Sequence, residues 1–487
     1  MAQPSVNEKR TDPGNEEAMI TKEITGDGMT ELYIDPVKEK ILLAKLDLFF
    51  TPVIMLVYLS CFLDRTNIGN VKVAGMPEDI GASAQQFSTA VSIFYATYVT
   101  FETPFAILLK KLTPRVLLTS LCIVWSLTTI FSGFIHNVAG LYASRLVLGA
   151  CEAGLFPSLT LYLTMVYRRE EQAKRVAYLF SCTALSGAFG GLLAYALLMM
   201  DGVAGYAGWR WVYIIEGVFS TVIAVAVWFG LPTNPAEAWF LTPEQKAIMV
   251  IRQKQTAEYL GGDESKRYEF WVALKDPKLY LSAAIQWCQD ILLYGFSTFL
   301  PAILKAAGHN SLQSNYLTVP VYIFGAIAFI IAAVFSDRLR LRSPFILFAN
   351  IFGIAGYIIL LTVSSNGVKY FATFLCAVAV YNGPGLNVTW INVNVAPHYR
   401  RATTIGVQQT IANTAGIVAG QIYRTSPYRL GHSFSLGALA LSQVLIVIKI
   451  LYVRNWNLRK EKIASGQTED NRKVKTGDRA LDFKYHL

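Results

Sequence analysis

Long apolar runs separated by short polar links dominate the chain, and the runs are continuous, without the alternation of half-buried strands. Twelve of them are long enough to cross a bilayer as helices, which takes about 20 mostly apolar residues. The first six lie near 45–68, 86–108, 116–136, 139–167, 176–200 and 211–231. The second six lie near 278–302, 315–336, 343–363, 369–396, 402–424 and 433–454. Between the sets, Pro232 to Asp276 is polar and charged and reads as a linker with helical pieces. The pattern predicts an all-α membrane protein of twelve transmembrane helices, since unbroken apolar runs exclude a barrel.

The two halves repeat. Lys111-x-x-x-Arg115 matches Arg338-x-x-x-Arg342 at an offset of 227 residues, and Gly187-x-x-x-Gly191 matches Gly416-x-x-x-Gly420 at 229. One GxxxG is weak evidence because membrane helices use it often. Two at nearly the offset of the basic loops imply two pseudo-symmetric six-helix bundles with a cavity between them. The resulting division is a disordered tail at 1–44, bundles at 45–231 and 278–455, a linker at 232–277 and a second tail at 456–487, the segment after Arg454 also being expected to be disordered.

Composition sharpens this reading. Only 16% of residues are charged against 53% hydrophobic, and mean hydropathy is +0.39. The net charge of +10 is not taken as a nucleic-acid signal, because Lys and Arg collect at helix ends. Twelve basic residues in the short links fall on one side (Lys110, Lys111, Arg115, Arg168, Arg169, Lys174, Arg175, Arg338, Arg340, Arg342, Arg400, Arg401). Six fall on the other: Lys72, Arg210, Lys305, Lys369, Arg424 and Arg429. This asymmetry predicts that both termini and the linker are cytosolic. No basic start precedes a short apolar core, so no cleaved signal is expected. The six cysteines sit inside apolar runs with no metal-ligand spacing and read as small buried residues. Asn387-Val-Thr389 matches a glycosylation acceptor but lies inside a span and is set aside.

The candidate chemistry is the set of charges inside the spans. Arg145 and Glu152 lie seven residues apart on one face of span four, with Glu152 near its middle. A charge at that depth costs about 2.5–3.5 kcal/mol even on a lenient scale, so such residues usually face an interior or a wet cavity. A structural ion pair between helices is the other reading. Asp64 and Arg65 either end span one at the interface or sink below it if the helix continues toward Met76-Pro77. Glu102 in span two and Glu216 in span six read as structural. The second half answers mostly with neutral polar groups (Gln286, Tyr294, Tyr381, Asn382, Trp390, Asn392, Gln408, Gln409, Asn413), with Asp290 the exception. Carboxylates in one bundle suit proton binding and release, and amides and aromatics in the other suit substrate recognition. Gly383-Pro384-Gly385 should either break span ten or kink it for packing. No nucleophile triad, phosphate loop, metal cluster or dinucleotide fingerprint appears, so no enzyme activity or cofactor is expected, and transport would draw on a gradient.

Several motifs in combination resemble the anion:cation symporter family of the major facilitator superfamily. They are Leu63-Asp64-Arg65-Thr66-Asn67-Ile68-Gly69-Asn70, Phe101-Glu102-x-Pro104, Arg145-x6-Glu152-Ala-Gly-x-Phe-Pro157 and Arg168-Arg-Glu-Glu-Gln-Ala-Lys-Arg175. Gly208-Trp-Arg-Trp211, Phe240-Leu-Thr242 and the Trp390–Arg401 region resemble its fungal allantoate, nicotinate and vitamin permease branch. Leu109-Lys-Lys-Leu-Thr-Pro-Arg115 departs from the superfamily's usual loop, while Ser336-Asp337-Arg338 keeps its core. The resemblance implies proton-coupled uptake of a small organic anion such as nicotinate, pantothenate, biotin, allantoate or a short peptide. It implies Glu152 and Asp64 as proton sites, Arg65 as the carboxylate binder and Arg145 as the partner tuning Glu152. Gln286, Tyr294, Tyr381, Asn382, Trp390 and Asn413 complete the expected substrate set with Arg65 and Arg145. Expected partners are the anion, protons and the lipid bilayer, without nucleic acid, for a monomer in the plasma membrane. Proton-driven efflux and a non-transporting nutrient receptor are the alternative functions.

Overall fold

A computed structural model describes residues 34–109, 111–260, 263–396, 398–470 and 477–487, together with a small antiparallel ladder pairing Lys22–Ile24 with Thr30–Leu32. Most of the first 33 residues, and the side chains of Lys110, Arg169 and Lys174, lie outside the described set.

The twelve apolar runs fold as helices. Span one is a single helix, Pro36–Val73, started by Asp35, whose carboxylate accepts from the Val37 amide at 2.8 Å while Pro36 fills the first turn. The helix therefore begins before residue 45 and continues past Asp64-Arg65, which settles the open question about that pair: Asp64 and Arg65 are both buried. Spans two and three are Ala84–Leu108 and Pro114–Ser132. Span four is interrupted at Gly154, giving Val138–Ala153 and Leu155–Val166. Spans five and six are Arg169–Leu198 and Gly208–Gly230. In the second half, span seven is Pro277–Ala306, span eight is Ser311–Tyr316 with Thr318–Leu339, and span nine is Ser343–Thr362. Span ten, Asn366–Val393, runs unbroken through Gly383-Pro384-Gly385. The glycine there serves packing, since a Cβ at Gly383 would lie 2.0 Å from the Gln289 Oε1 atom. Span eleven is His398–Asn413 with Ala415–Ile422, and span twelve is Arg429–Ala464.

Helix parity puts the chain ends and the linker on one side of the molecule, called here the terminus side, opposite the far side. On the far side the two bundles are locked together. Span one meets span seven so closely that a Cβ on Gly69 would lie 1.8 Å from the Thr298 carbonyl oxygen. Val73 O, at the end of span one, accepts from Lys305 Nζ at 2.8 Å and Ser311 Oγ at 2.7 Å. The repeated glycine motifs sit in this seam. A Cβ on Gly191 would be 2.4 Å from Thr318 Oγ1, and one on Gly187 would be 2.8 Å from the Tyr322 ring, both on span eight. Their counterparts on span eleven meet span two, Gly416 against Tyr95 at 2.2 Å and Gly420 against Ser92 Oγ at 2.5 Å. Small residues allow backbones to approach this closely. The repeat read from the sequence thus marks two pseudo-symmetric contacts between bundles, not packing within each one.

On the terminus side the linker helix Pro243–Leu260 docks through Arg252, which pairs with Glu39 and Glu171. Beyond span twelve, residues 477–487 fold back onto the second bundle, contrary to the disorder expected there from composition. Asp478 is fully buried and pairs with Lys278 and with Arg400 (2.5 Å), while His486 O accepts from Trp390 Nε1 at 3.0 Å and Asn394 Nδ2 at 2.8 Å. Burial alone would raise the Asp478 carboxyl, but the charges and hydrogen bonds of Lys278 and Arg400 outweigh it and hold it below the ordinary aspartate value. A depressed carboxyl contributes stability above its unfolded value near 3.8, lost as pH falls through the lower folded one. Asp478→Ala leaves two buried cations without that partner and should cost about 3–5 kcal/mol of docking. We expect faster proteolytic clipping of the C-terminal segment in Asp478→Ala at neutral pH; clipping at the wild-type rate would show that the buried pairs do not hold it.

Candidate transport cavity

Where the bundles part, they enclose about 960 Å³ of space, counting its open mouth. The first bundle lines it with Tyr58, Phe62, Arg65, Tyr98, Glu102 and Glu152, and the second with Gln286, Asp290, Tyr294, Tyr381, Gln409 and Asn413.

Arg65 and Glu152 form the centre of the charged wall. Glu152 Oε2 accepts from Arg65 Nη2 at 2.9 Å, from Arg65 Nε at 3.1 Å and from Cys61 Sγ at 3.1 Å. Glu152 is 0% exposed and Arg65 8% exposed, so the pair is shielded from bulk water. The guanidinium carbon lies 4.7 Å from the Phe62 ring centre, 5.2 Å from Phe94 and 5.0 Å from Tyr98. Three aromatic faces thus hold the cation in place independently of its counter-ion, which suits arginine's flat, weakly hydrated head. Glu152 Oε1 has no hydrogen-bond partner among the described residues.

The remaining predicted residues divide. Gln286, Tyr294, Tyr381 and Asn413 are brought to the cavity, with Tyr294 donating to Asn413 Oδ1 at 2.6 Å. Asp64 is turned into the first bundle, where Trp125 Nε1 (2.6 Å) and Ser220 Oγ (3.0 Å) donate to it. Arg145 donates to the Tyr213 hydroxyl at 2.8 Å and makes no ion pair with Glu152. The partner of Glu152 is Arg65 on the neighbouring helix; the spacing along span four placed the two charges on one face but said nothing about which helix packs there. Asn382 Nδ2 caps its own helix turn at Val378 O, and Trp390 is buried against the C-terminal segment, so neither lines the cavity. Glu216 accepts from Asn67 inside the first bundle, as a structural role requires.

Several cavity groups lie outside the expected substrate set, among them Tyr58, Tyr98, Glu102, Asp290 and Gln409. Glu102, read as structural, accepts from Thr410 Oγ1 across the bundles at 3.2 Å. Tyr98 lies one turn before it in sequence, on the same helix face. That i, i+4 spacing with a carboxylate was the available signal.

The Major Facilitator Superfamily model matches residues 54–420. The chain belongs to that superfamily. It is 46% identical over 477 residues to an uncharacterised transporter of Schizosaccharomyces pombe, covering 97% of this chain and 99% of that one. It is 33% identical over 454 residues to the high-affinity nicotinic acid transporter of Saccharomyces cerevisiae, covering 92% and 85% of the two chains. Among solved structures it resembles a bacterial homologue of the human lysosomal transporter Spinster, in an inward-facing unoccupied conformation (TM-score 0.64, 17% identity, 86% of this chain and 96% of that one). It also resembles a D-xylose–proton symporter (TM-score 0.63, 13% identity, 82% and 97%). At these identities the structures speak for the fold, which is the two-bundle arrangement of this superfamily. The protein is a membrane-embedded transporter of the superfamily, and these relatives are named transporters.

Proposed function

We propose that the protein takes up a small organic anion together with a proton, by alternating access, across the plasma membrane with its termini in the cytosol. The observation that carries this reading is the buried Arg65–Glu152 pair on the cavity wall. Arg65 Nε and Nη2 both donate to Glu152 Oε2, so that fork of the guanidinium is committed to one carboxylate. With Glu152 ionised, that fork is occupied. A proton on Glu152 removes the negative charge, and Arg65, still held by its aromatic faces, is left as a buried cation needing an anion. A substrate carboxylate supplies it. Proton and anion then bind together and leave together, and the net charge of the site is the same empty and loaded. Gln286, Tyr294 and Asn413 on the opposite wall offer hydrogen bonds that orient the rest of the molecule.

Nicotinate is the first substrate to try, since the yeast relative is named a nicotinic acid transporter. The test is uptake of labelled nicotinate by permease-deficient yeast expressing this chain, at external pH 4.5 to 7. Acid-stimulated accumulation, abolished by a protonophore, is expected. Lower accumulation in expressing than in control cells would overturn uptake in favour of efflux.

A further inference from the structure

Span twelve carries a lysine that the reading of intramembrane charges passed over. Lys449 is 2% exposed, and no carboxylate pairs with it among the described residues. Its Nζ donates to Ser282 Oγ at 3.0 Å and Asn387 Oδ1 at 3.2 Å and lies 3.7 Å from the centre of the Trp390 ring. A lysine near the end of a span ordinarily reaches outward to water. This one points into the second bundle, at the end of a chain of amides leading to the cavity.

The chain has a direction. With Lys449 Nζ as the donor, the Asn387 side chain turns its oxygen toward the lysine. Its Nδ2 then faces inward and donates to Ser282 O at 3.0 Å and to Gln286 Oε1 at 2.9 Å. Gln408 Nε2 donates to the same Gln286 oxygen at 3.3 Å. With Oε1 committed, Gln286 must present its NH2 to the cavity side, where Nε2 donates to Asp290 Oδ1 at 3.0 Å. Gln286 and Asp290 both line the cavity.

We infer that Lys449 is a positioning residue for substrate recognition. It fixes the polarity of the Asn387–Gln286 chain so that the second bundle's wall offers the free N–H of Gln286 to an acceptor atom of the transported anion. An amide has two N–H groups, and Asp290 occupies one. The other is the donor a carboxylate oxygen or an aromatic ring nitrogen would use. Without Lys449, that polarity is held only by the Ser282 hydroxyl and carbonyl on Asn387 and by Asp290 on Gln286, and the wall more readily turns an oxygen toward an anionic ligand. The inference rests on the anion-transport reading for its ligand, but the chain itself is testable without one.

The first experiment compares the KM for labelled nicotinate in wild type, Lys449→Met and Lys449→Arg. Met fills similar volume without a donor, and Arg restores donors alone. We expect KM to rise roughly tenfold in Lys449→Met with the maximal rate little changed, and to return to within about threefold in Lys449→Arg. A wild-type KM in Lys449→Met, or equal impairment in both variants, overturns the assignment. The second experiment uses no ligand: apparent melting temperatures of the full-length protein in detergent for Lys449→Met, Asp290→Asn and the double variant. Asn at 290 pairs with either amide polarity, so the two shifts should fail to add by about 2 °C or more. Additive shifts overturn the proposed chain. If wild type carries no nicotinate while the shifts fail to add, the polarity inference holds and the nicotinate reading is the one that fails.

Discussion

Glu152→Gln abolishes acid-driven accumulation of the anion while leaving exchange of internal for external anion measurable. The amide keeps the size of the side chain and can still accept from Arg65 and Cys61, so the buried site keeps its shape. It cannot change charge. With the carboxylate gone, Arg65 is permanently available to an anion, and binding no longer waits for a proton. A pH unit is worth about 1.4 kcal/mol, so a one-proton symporter can sustain about tenfold accumulation per unit of gradient. In Glu152→Gln the ratio should fall to near one at every pH, with counterflow retained. Accumulation at the wild-type ratio would remove Glu152 from the coupling step.

The second large effect is expected at the far-side seam. In Gly69→Ala the new methyl would lie 1.8 Å from the Thr298 carbonyl oxygen, which belongs to backbone and cannot step aside. Spans one and seven must therefore separate, and the state with the far side shut loses its tightest contact. Transport needs that state once per cycle, so uptake should fall by at least tenfold. The readout that distinguishes a blocked cycle from a misfolded protein is accessibility. Ser92 is buried at the Gly420 contact. Ser92→Cys in the Gly69→Ala background should react with a water-soluble maleimide much faster than Ser92→Cys alone. Equal labelling rates would mean that the seam closes despite the methyl.

Much of this architecture is legible in the residues because bilayer physics leaves few choices. Unbroken apolar runs can only be helices, and the near-equal offsets of basic loops and GxxxG motifs reveal two bundles. Glu152 declares itself by depth alone. What spacing along one helix cannot supply is the identity of the neighbour. Arg145 shares a face with Glu152, yet Arg65 from span one reaches the carboxylate because both spans line the same cavity wall. Asp64, next to Arg65 in sequence, is rotated about 100° around the helix and ends among Trp125 and Ser220. Lys449 was missed for a related reason. A lone lysine five residues before the end of an apolar run has the sequence signature of a snorkelling side chain, and only packing shows that it turns inward. The C-terminal segment reads as a polar tail because its anchors, Lys278, Arg400, Trp390 and Asn394, are scattered through the second half of the chain.

The asymmetry between the bundles gives the account its shape. The first bundle supplies a guanidinium and a carboxylate that exclude each other's partners, and the second supplies oriented hydrogen bonds. In the proposed alternating-access cycle, the two bundles swing against each other around that site, with the glycine seam closed in one state. The claim on which the rest depends is that one proton enters with each anion through Glu152. The most direct measurement is proton movement in proteoliposomes with no imposed pH gradient, followed by a pH-sensitive dye as nicotinate is added outside. The wild-type protein is predicted to draw protons inward with the anion in a ratio near one, and Glu152→Gln to move nicotinate with no accompanying proton. Proton movement at the wild-type ratio in Glu152→Gln would contradict the account.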